Sequence, residues 1–422
     1  MDVLVEEAVI VGVHEQKDLH FEYAMEELRN LAEAIDVKVI GEVTQNLERR
    51  NPSHYLGKGK IDEIRQVYEE TGANLLIFND ELSPSQLRNL EKELECKIID
   101  RTMLILDIFA RRARNREAQM QVELAQLQYT LPRLVGLRAS LSRQGGGTGG
   151  GLQNKGAGET KLELDRRKIE DQIAKLRREL EHVKDQRETQ RKQRVRSGIP
   201  VVSIVGYTNA GKSTLMNRLL QYTDADQSKE VSEKDMLFAT LETAVRKIKL
   251  PDKKEFILTD TVGFVSKLPH HLVQAFRSTL EEAKNADLLL HVVDVSDEEH
   301  GHMMDVTNET LEDIGVESIP TVNVYNKADL AGITYPRTQE QSIWMSAGKN
   351  EGIPELLKLI EQNLFRQYIT CKLLIPYDRG EIVSHLNATA AIKETDYEEE
   401  GTLITVEMPE SECERLAKFI VD

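Results

Sequence analysis

Cysteine is scarce in this 422-residue chain: Cys96, Cys371 and Cys413 lie far apart, with no CxxC or CxxH beside them. That spacing suggests neither a disulfide framework nor a zinc site, and buried structural thiols are expected. No apolar run of about 18 residues occurs, so no membrane-spanning helix is expected. The start, MDVLVEEAVIVGVHE, is acidic and has no small-residue cleavage site, which points to the cytoplasm. Positive charge is also short overall, with 55 Lys and Arg against 72 Asp and Glu and a net of −17. Counted by segment, the picture changes. Residues 101–197 hold 22 Lys and Arg against 12 Asp and Glu, a net of +10 that leaves −27 for the rest. A solvated helix face is the plain account of such a run, but inside an acidic chain it also marks a surface for a polyanion.

What is present is a multidomain α/β pattern. Residues 1–110 alternate short apolar runs such as EAVIVGV and NLLIFND with amphipathic ones such as FEYAMEELRNLAEAI, the rhythm of βαβ units and a mainly parallel sheet. Ser83 before Pro84 suggests an N-cap with proline in the first helical position. Residues 111–197 form a basic hairpin of two helices. Phe109, Ala113, Met120, Leu124, Leu127 and Leu131 recur at helical spacing on the approach and first helix. Leu162, Ile169, Ile173, Leu176, Leu180 and Val183 make a narrow coiled-coil seam on the second. Two such helices joined by a loop should pair antiparallel, seam to seam. A third domain is expected over 198–366, and a small α+β domain over 367–422.

Between the two long helices, residues 143–160 contain a glycine-rich loop, with eight glycines in the fourteen positions from Gly145 to Gly158. Gly145-x-Gly147-x-x-Gly150 fits the dinucleotide fingerprint literally. A helix rather than a strand precedes it, so the context fails.

The phosphate signal lies further on, in VVSIVGYTNAGKSTLMNRLL. An apolar strand, Gly206-x-x-x-x-Gly211-Lys212-Ser213 and a helical run make a P-loop in its proper setting. Backbone N–H groups of the loop, including Asn209 and Ala210, and of the helix start with Thr214, are expected to face the phosphates. Lys212 would reach the β and γ phosphates, and the Ser213 hydroxyl would bind Mg²⁺. Asn326, Lys327 and Asp329 in VYNKADL supply a guanine site, because a carboxylate accepts two hydrogen bonds from guanine N1–H and the 2-amino group. Adenine would leave that carboxylate unpaired. Ser346 and Ala347 of SAG would bring a backbone N–H to guanine O6. Asp260 in DTVGF would hold Mg²⁺ through water, Thr240 in FATLET would join it, and Gly263 would sense the γ-phosphate. The residue after Gly263, where many GTPases carry a water-orienting glutamine, is Phe264. Its ring neither donates nor accepts a hydrogen bond, so slow hydrolysis by the isolated chain is expected. His270 and His271 are candidate substitutes, though surface histidines are the plainer reading.

These motifs, with YLGKGK at 55–60, QMQVELAQLQYTLPRL at 119–134, GETKLELDRR at 158–167 and LPHHLVQAFRSTLEEA, make the chain resemble the HflX family of ribosome-associated GTPases, within the translation-factor-related class. The resemblance covers nearly the whole length, and Phe264 belongs to it. It implies a GTP- and Mg²⁺-dependent enzyme acting on the 50S subunit and the 70S ribosome, entering near the peptidyl-transferase region, splitting stalled ribosomes and leaving after hydrolysis. The glycine loop would then be a tip against 23S rRNA, with Arg143, Gly146, Gly149, Asn154, Lys155 and Lys161 as RNA contacts. A monomer is expected. The tip departs from the family's usual pattern, being longer and carrying Ala157 where proline is common, and drug displacement from the large subunit is a linked expectation. Two other readings are a GTP-regulated 50S-binding or maturation protein without splitting activity and a nucleotide-dependent rRNA remodeller. In the latter, Lys58 and Lys60 of GKGK would serve ATP, although no Walker spacing surrounds them.

Overall fold

The computed structural model describes residues 6–144, 155–196, 198–223, 238, 244–267, 269, 282–316 and 318–421, and side chains apart from 135–162, 188, 190–197 and 388–389. It comprises two compact units. The first holds residues 1–190 with 234–242 and 263–279, and the second holds the remainder.

In the first unit, β1 (Glu7–Glu15), α1 (Phe21–Glu33), β2 (Lys38–Leu47), α2 (Lys58–Thr71), β3 (Leu75–Phe78), α3 (Pro84–Leu94) and β4 (Ile98–Asp100) alternate as expected. The strands form one parallel sheet in the order β2-β1-β3-β4. Ala8 to Val11 are fully buried, which explains why β1 has a continuous apolar run rather than an alternating one. On α1, Phe21, Ala24, Met25, Leu28, Leu31 and Ala32 fall on one buried stripe. Helix α3 starts as its sequence predicts. Ser83 caps it, the Gln86 side chain closes the capping box and Pro84 stands in the first turn.

The chain then runs through α4 (Arg101–Arg112), α5 (Arg116–Gln144) and α6 (Lys155–Arg196). Met120, Leu124, Ile173 and Leu176 form the buried seam between the long helices, flanked by Leu127, Leu131, Ile169, Leu180 and Val183. Arg187 pairs with Glu117 across it at 2.8 Å. Two of the residues expected near this seam sit elsewhere. Phe109 is on α4, edge-on to Phe238 at 4.6 Å, and Ala113 caps the C-terminal end of α4. The helix is interrupted at 113–115, and Asn115 then accepts the Ala118 N–H at 2.7 Å. The tip positions Gly146, Gly149 and Asn154 lie outside the described residues, as do the side chains of Arg143, Lys155 and Lys161.

The second unit carries β5 (Val201–Gly206), α7 (Lys212–Tyr222), β6 (Val245–Lys249), β7 (Glu255–Asp260), β8 (Leu288–Asp294), α8 (His300–Asp313), β9 (Thr321–Asn326), α9 (Ala328–Ala331), β10 (Arg337–Gln339), β11 (Ser342–Trp344) and α10 (Ile353–Leu364). Its sheet order is β10-β11-β9-β8-β5-β7-β6, parallel except for the edge strands β10 and β6. After it come β12 (Tyr368–Ile375), α11 (Gly380–Thr389), β13 (Ala391–Glu398), β14 (Gly401–Pro409) and α12 (Glu410–Arg415), with the strands in the antiparallel order β12-β14-β13. Here one sequence expectation is corrected. Cys371 on β12 and Cys413 on α12 are joined as a disulfide. Packing of α12 on the sheet brings together two residues separated by 42 positions, a proximity their spacing could not reveal. Cys96 is a free, half-buried thiol whose pKa burial, and then Glu91, push up to about 11.

Candidate functional site

The P-loop spans the end of β5 and the start of α7. Gly206 has φ of +143° and Gly211 has φ of +90°, backbone conformations that L side chains rarely adopt. A methyl group at Gly206 would strike the Val292 carbonyl, and one at Gly211 would strike the Asn326 amide. The two glycines of the motif are therefore required by the neighbouring strands β8 and β9 as well as by any phosphate. Asn209, with φ of +61°, makes the loop's other left-handed turn.

Lys212 is buried, and its Nζ donates to the carbonyls of Gly206 at 3.0 Å and Tyr207 at 2.5 Å. Burial pulls its pKa down to about 8, opposed by the Asp260 carboxylate. Ser213 Oγ donates to Asp260 Oδ2 at 3.1 Å, so the helix start and the end of β7 meet. A hydroxyl and a carboxylate are hard oxygen donors of the kind Mg²⁺ takes, and the pair fits that ion. Thr214 is half-buried on the same helical turn.

On the base side, Asn326 is buried at the end of β9. Its Nδ2 donates to the Ala210 carbonyl at 2.8 Å and its Oδ1 accepts the Ala347 N–H at 2.9 Å. This side chain thus fastens the phosphate loop to the SAG loop. Ser346 is buried and its Oγ accepts the Lys349 N–H at 3.1 Å. Lys327, at φ of +58°, pairs with Asp294 at 2.8 Å. Asp329 lies half-buried in the first turn of α9.

Thr240, like His270 and His271, lies outside the described residues. Gly263 and Phe264 belong to the first unit, where Phe264 is 2% exposed. In the same unit the next residue but one, Ser266, accepts from the buried Arg101 through its carbonyl at 3.2 Å and its Oγ at 3.0 Å. Arg101 also pairs with Glu27 and donates to Asn79 Oδ1 at 3.0 Å. Lys267 reaches Asp18 and Asp80, each at 3.2 Å. The GKGK turn simply opens α2: Gly57 N–H donates to Gln45 at 2.9 Å and Lys60 pairs with Glu63 at 2.8 Å.

Sequence reasoning missed Asp294, Arg218 and His291. Asp294 closes the apolar run LLLHVVD, the one signal that could have placed it at a strand end. Arg218 donates to the Ala347 carbonyl at 3.2 Å. His291 is buried on β8, and burial, followed by the Lys212 charge, lowers its pKa to about 4. A polar residue within an apolar strand was visible, but its proximity to Lys212 was not.

Family models match three successive stretches: the N-terminal region of GTP-binding GTPases over 22–110, their middle region over 112–194 and a 50S ribosome-binding GTPase over 201–327. The GTPase HflX of Caldanaerobacter subterraneus subsp. tengcongensis is 46% identical across 99% of this chain and 94% of its own. That of Escherichia coli (strain K12) is 40% identical across 98% of this chain and 96% of its own. Among solved structures, a GTP-binding protein from Sulfolobus solfataricus in complex with GDP is 25% identical, covering 86% of this chain and 99% of that one at a TM-score of 0.42. Among the described residues no helix is long and apolar enough to cross a membrane. With the P-loop, Asp260 and the Asn326 bridge assembled at the C-terminal ends of the inner strands β5, β7 and β9, and relatives matching over nearly the whole chain, the chain belongs to the HflX family of GTPases and its reaction is GTP hydrolysis.

Proposed function

We propose that this GTPase works in the cytoplasm as a monomer, binds the 50S subunit through 23S rRNA, inserts its helical hairpin near the peptidyl-transferase region and splits stalled 70S ribosomes, with hydrolysis permitting release. The observation that carries this reading is the hairpin itself. A narrow apolar seam pairs α5 with α6, and the segment's net charge of +10 sits in an otherwise acidic chain. A long basic pair of helices suits entry into a phosphate-lined space, while the net −27 elsewhere disfavours other orientations on RNA.

Lys212, Asn326 and Asp329 are the proposed contacts to phosphates and guanine, and Ser213, Thr240 and Asp260 the residues that would hold Mg²⁺, which neutralises charge on the β and γ phosphates. Phe264 supplies no hydrogen bond to an attacking water, so a partner must complete its positioning. The test is sedimentation of 70S ribosomes with the chain and GTP, or a nonhydrolysable analogue, through a sucrose gradient. Free 50S and 30S subunits support splitting. The chain migrating with 50S while 70S stays intact would replace it with a storage or maturation role. Displacement of large-subunit drugs is the linked proposal, and equal drug sensitivity with and without the chain removes it.

A further inference from the structure

Between residues 245 and 260 the chain goes out and back as one hairpin, β6 and β7, paired from Val245 opposite Thr259 to Lys249 opposite Glu255. One end carries Asp260, bonded to Ser213. The other is the turn Leu250 to Lys254, roughly 20 Å away at about 3.3 Å per residue. Both lysines of that turn reach the C-terminal α+β portion. Lys253 Nζ donates to the Asn387 carbonyl in the last turn of α11 at 2.6 Å, where a helix end favours a cation. Lys254 is 10% exposed, with Nζ 2.9 Å from Glu407 of β14, 2.9 Å from Asp252 and 3.9 Å from Glu361 of α10. Its ammonium also faces the rings of Phe365 and Tyr368 at 5.5 and 5.6 Å. Burial works against this charge, but the hydrogen bonds that Lys254 donates to Asp252 and Glu407 outweigh it and raise its pKa. Lys393 holds Glu407 from its other side at 3.0 Å.

We infer that Lys254, assisted by Lys253, is a positioning residue for GTP hydrolysis: it anchors the far end of the β6–β7 hairpin to the C-terminal sheet, so that nucleotide-dependent movement at Asp260 is transmitted to β14 and α11. Linkage makes the effect reciprocal, and a partner loading the C-terminal sheet alters the preference for GTP over GDP. The inference rests on the GTPase reading, which binding of a fluorescent GDP to the unmodified chain checks separately.

The experiment is hydrogen exchange on the full chain with GDP or a nonhydrolysable GTP analogue. Amides of α11 and β14 are expected to exchange at rates differing by about fivefold or more between the two nucleotides. In the Lys253→Ala, Lys254→Met double variant that difference should collapse while nucleotide binding persists, with kcat altered and KM little changed. Lys254→Arg should retain it. Should the double variant fail to fold, Glu407→Gln, which leaves Lys254 with Asp252, must reduce the difference. Equal exchange with both nucleotides in the unmodified chain overturns the inference, as does a nucleotide-dependent difference that survives these substitutions.

Discussion

Asn326 holds Ala210: its Nδ2 donates to the Ala210 carbonyl at 2.8 Å, while its Oδ1 takes the Ala347 N–H at 2.9 Å. One buried amide therefore sets the spacing between the phosphate and base sides of the pocket. Asn326→Ala leaves both backbone groups unpaired, at about 1–3 kcal/mol each. Guanine-nucleotide affinity is expected to fall by about a hundredfold, read from titration with a fluorescent GDP. Gly211→Ala should act in the same direction, because its methyl group would strike that amide.

Lys212 gives the site a defined pH dependence. Its pKa of about 8 without nucleotide lies below the ordinary lysine value because the ammonium is buried. Phosphates add negative charge and raise it, so binding above that pH takes up a proton. GDP affinity should be nearly flat below pH 8 and fall by up to about tenfold per pH unit above it. Stability of the nucleotide-free chain has the opposite slope there: the unfolded lysine binds the proton more tightly, so stability rises as pH climbs from about 8 towards the ordinary value of 10.5. Calorimetric titrations from pH 7 to 9.5 check the first expectation, and denaturant melts the second.

Asp329 is the proposed base-selecting carboxylate. Asp329→Ala should reduce the preference for GTP over ATP by about a hundredfold or more, since a site built to pair the guanine edge rejects adenine through its own unpaired group. Competition between the two nucleotides for the fluorescent GDP measures it. An unchanged ratio would move base selection to another residue.

Arg101 is 1% exposed and pairs with Glu27, which is also buried. Arg101→Met takes the guanidinium charge away from the buried Glu27 carboxylate and should cost about 3–5 kcal/mol in the first unit. Arg101→Met combined with Glu27→Leu should recover much of that loss, because removing both charges abolishes the desolvation cost. Urea unfolding of the single and double variants provides the comparison.

The Cys371–Cys413 bond closes a loop of 42 residues, for which the chain-entropy model gives about 4 kcal/mol. Reduction, or Cys413→Ser, is expected to lower the melting temperature of the C-terminal portion and leave the N-terminal sheet untouched. Mass spectrometry after alkylation, with and without reductant, establishes the bond, and calorimetry its effect.

Sequence alone determined the local features: the parallel βαβ rhythm, the Ser83 cap, the heptad seam from Ile169 to Val183, and the P-loop and guanine motifs. Each depends on residues within one or two turns or strands of one another, where spacing sets the geometry. Only tertiary structure decided what lies across the fold. The pairing of Cys371 with Cys413, the Asn326 bridge, the placement of Ser266 against Arg101 and the attachment of Lys254 to Glu407 join residues 42, 116, 165 and 153 positions apart. Such contacts arise from packing of whole elements, and side-chain type by itself does not specify which distant partner packing will supply.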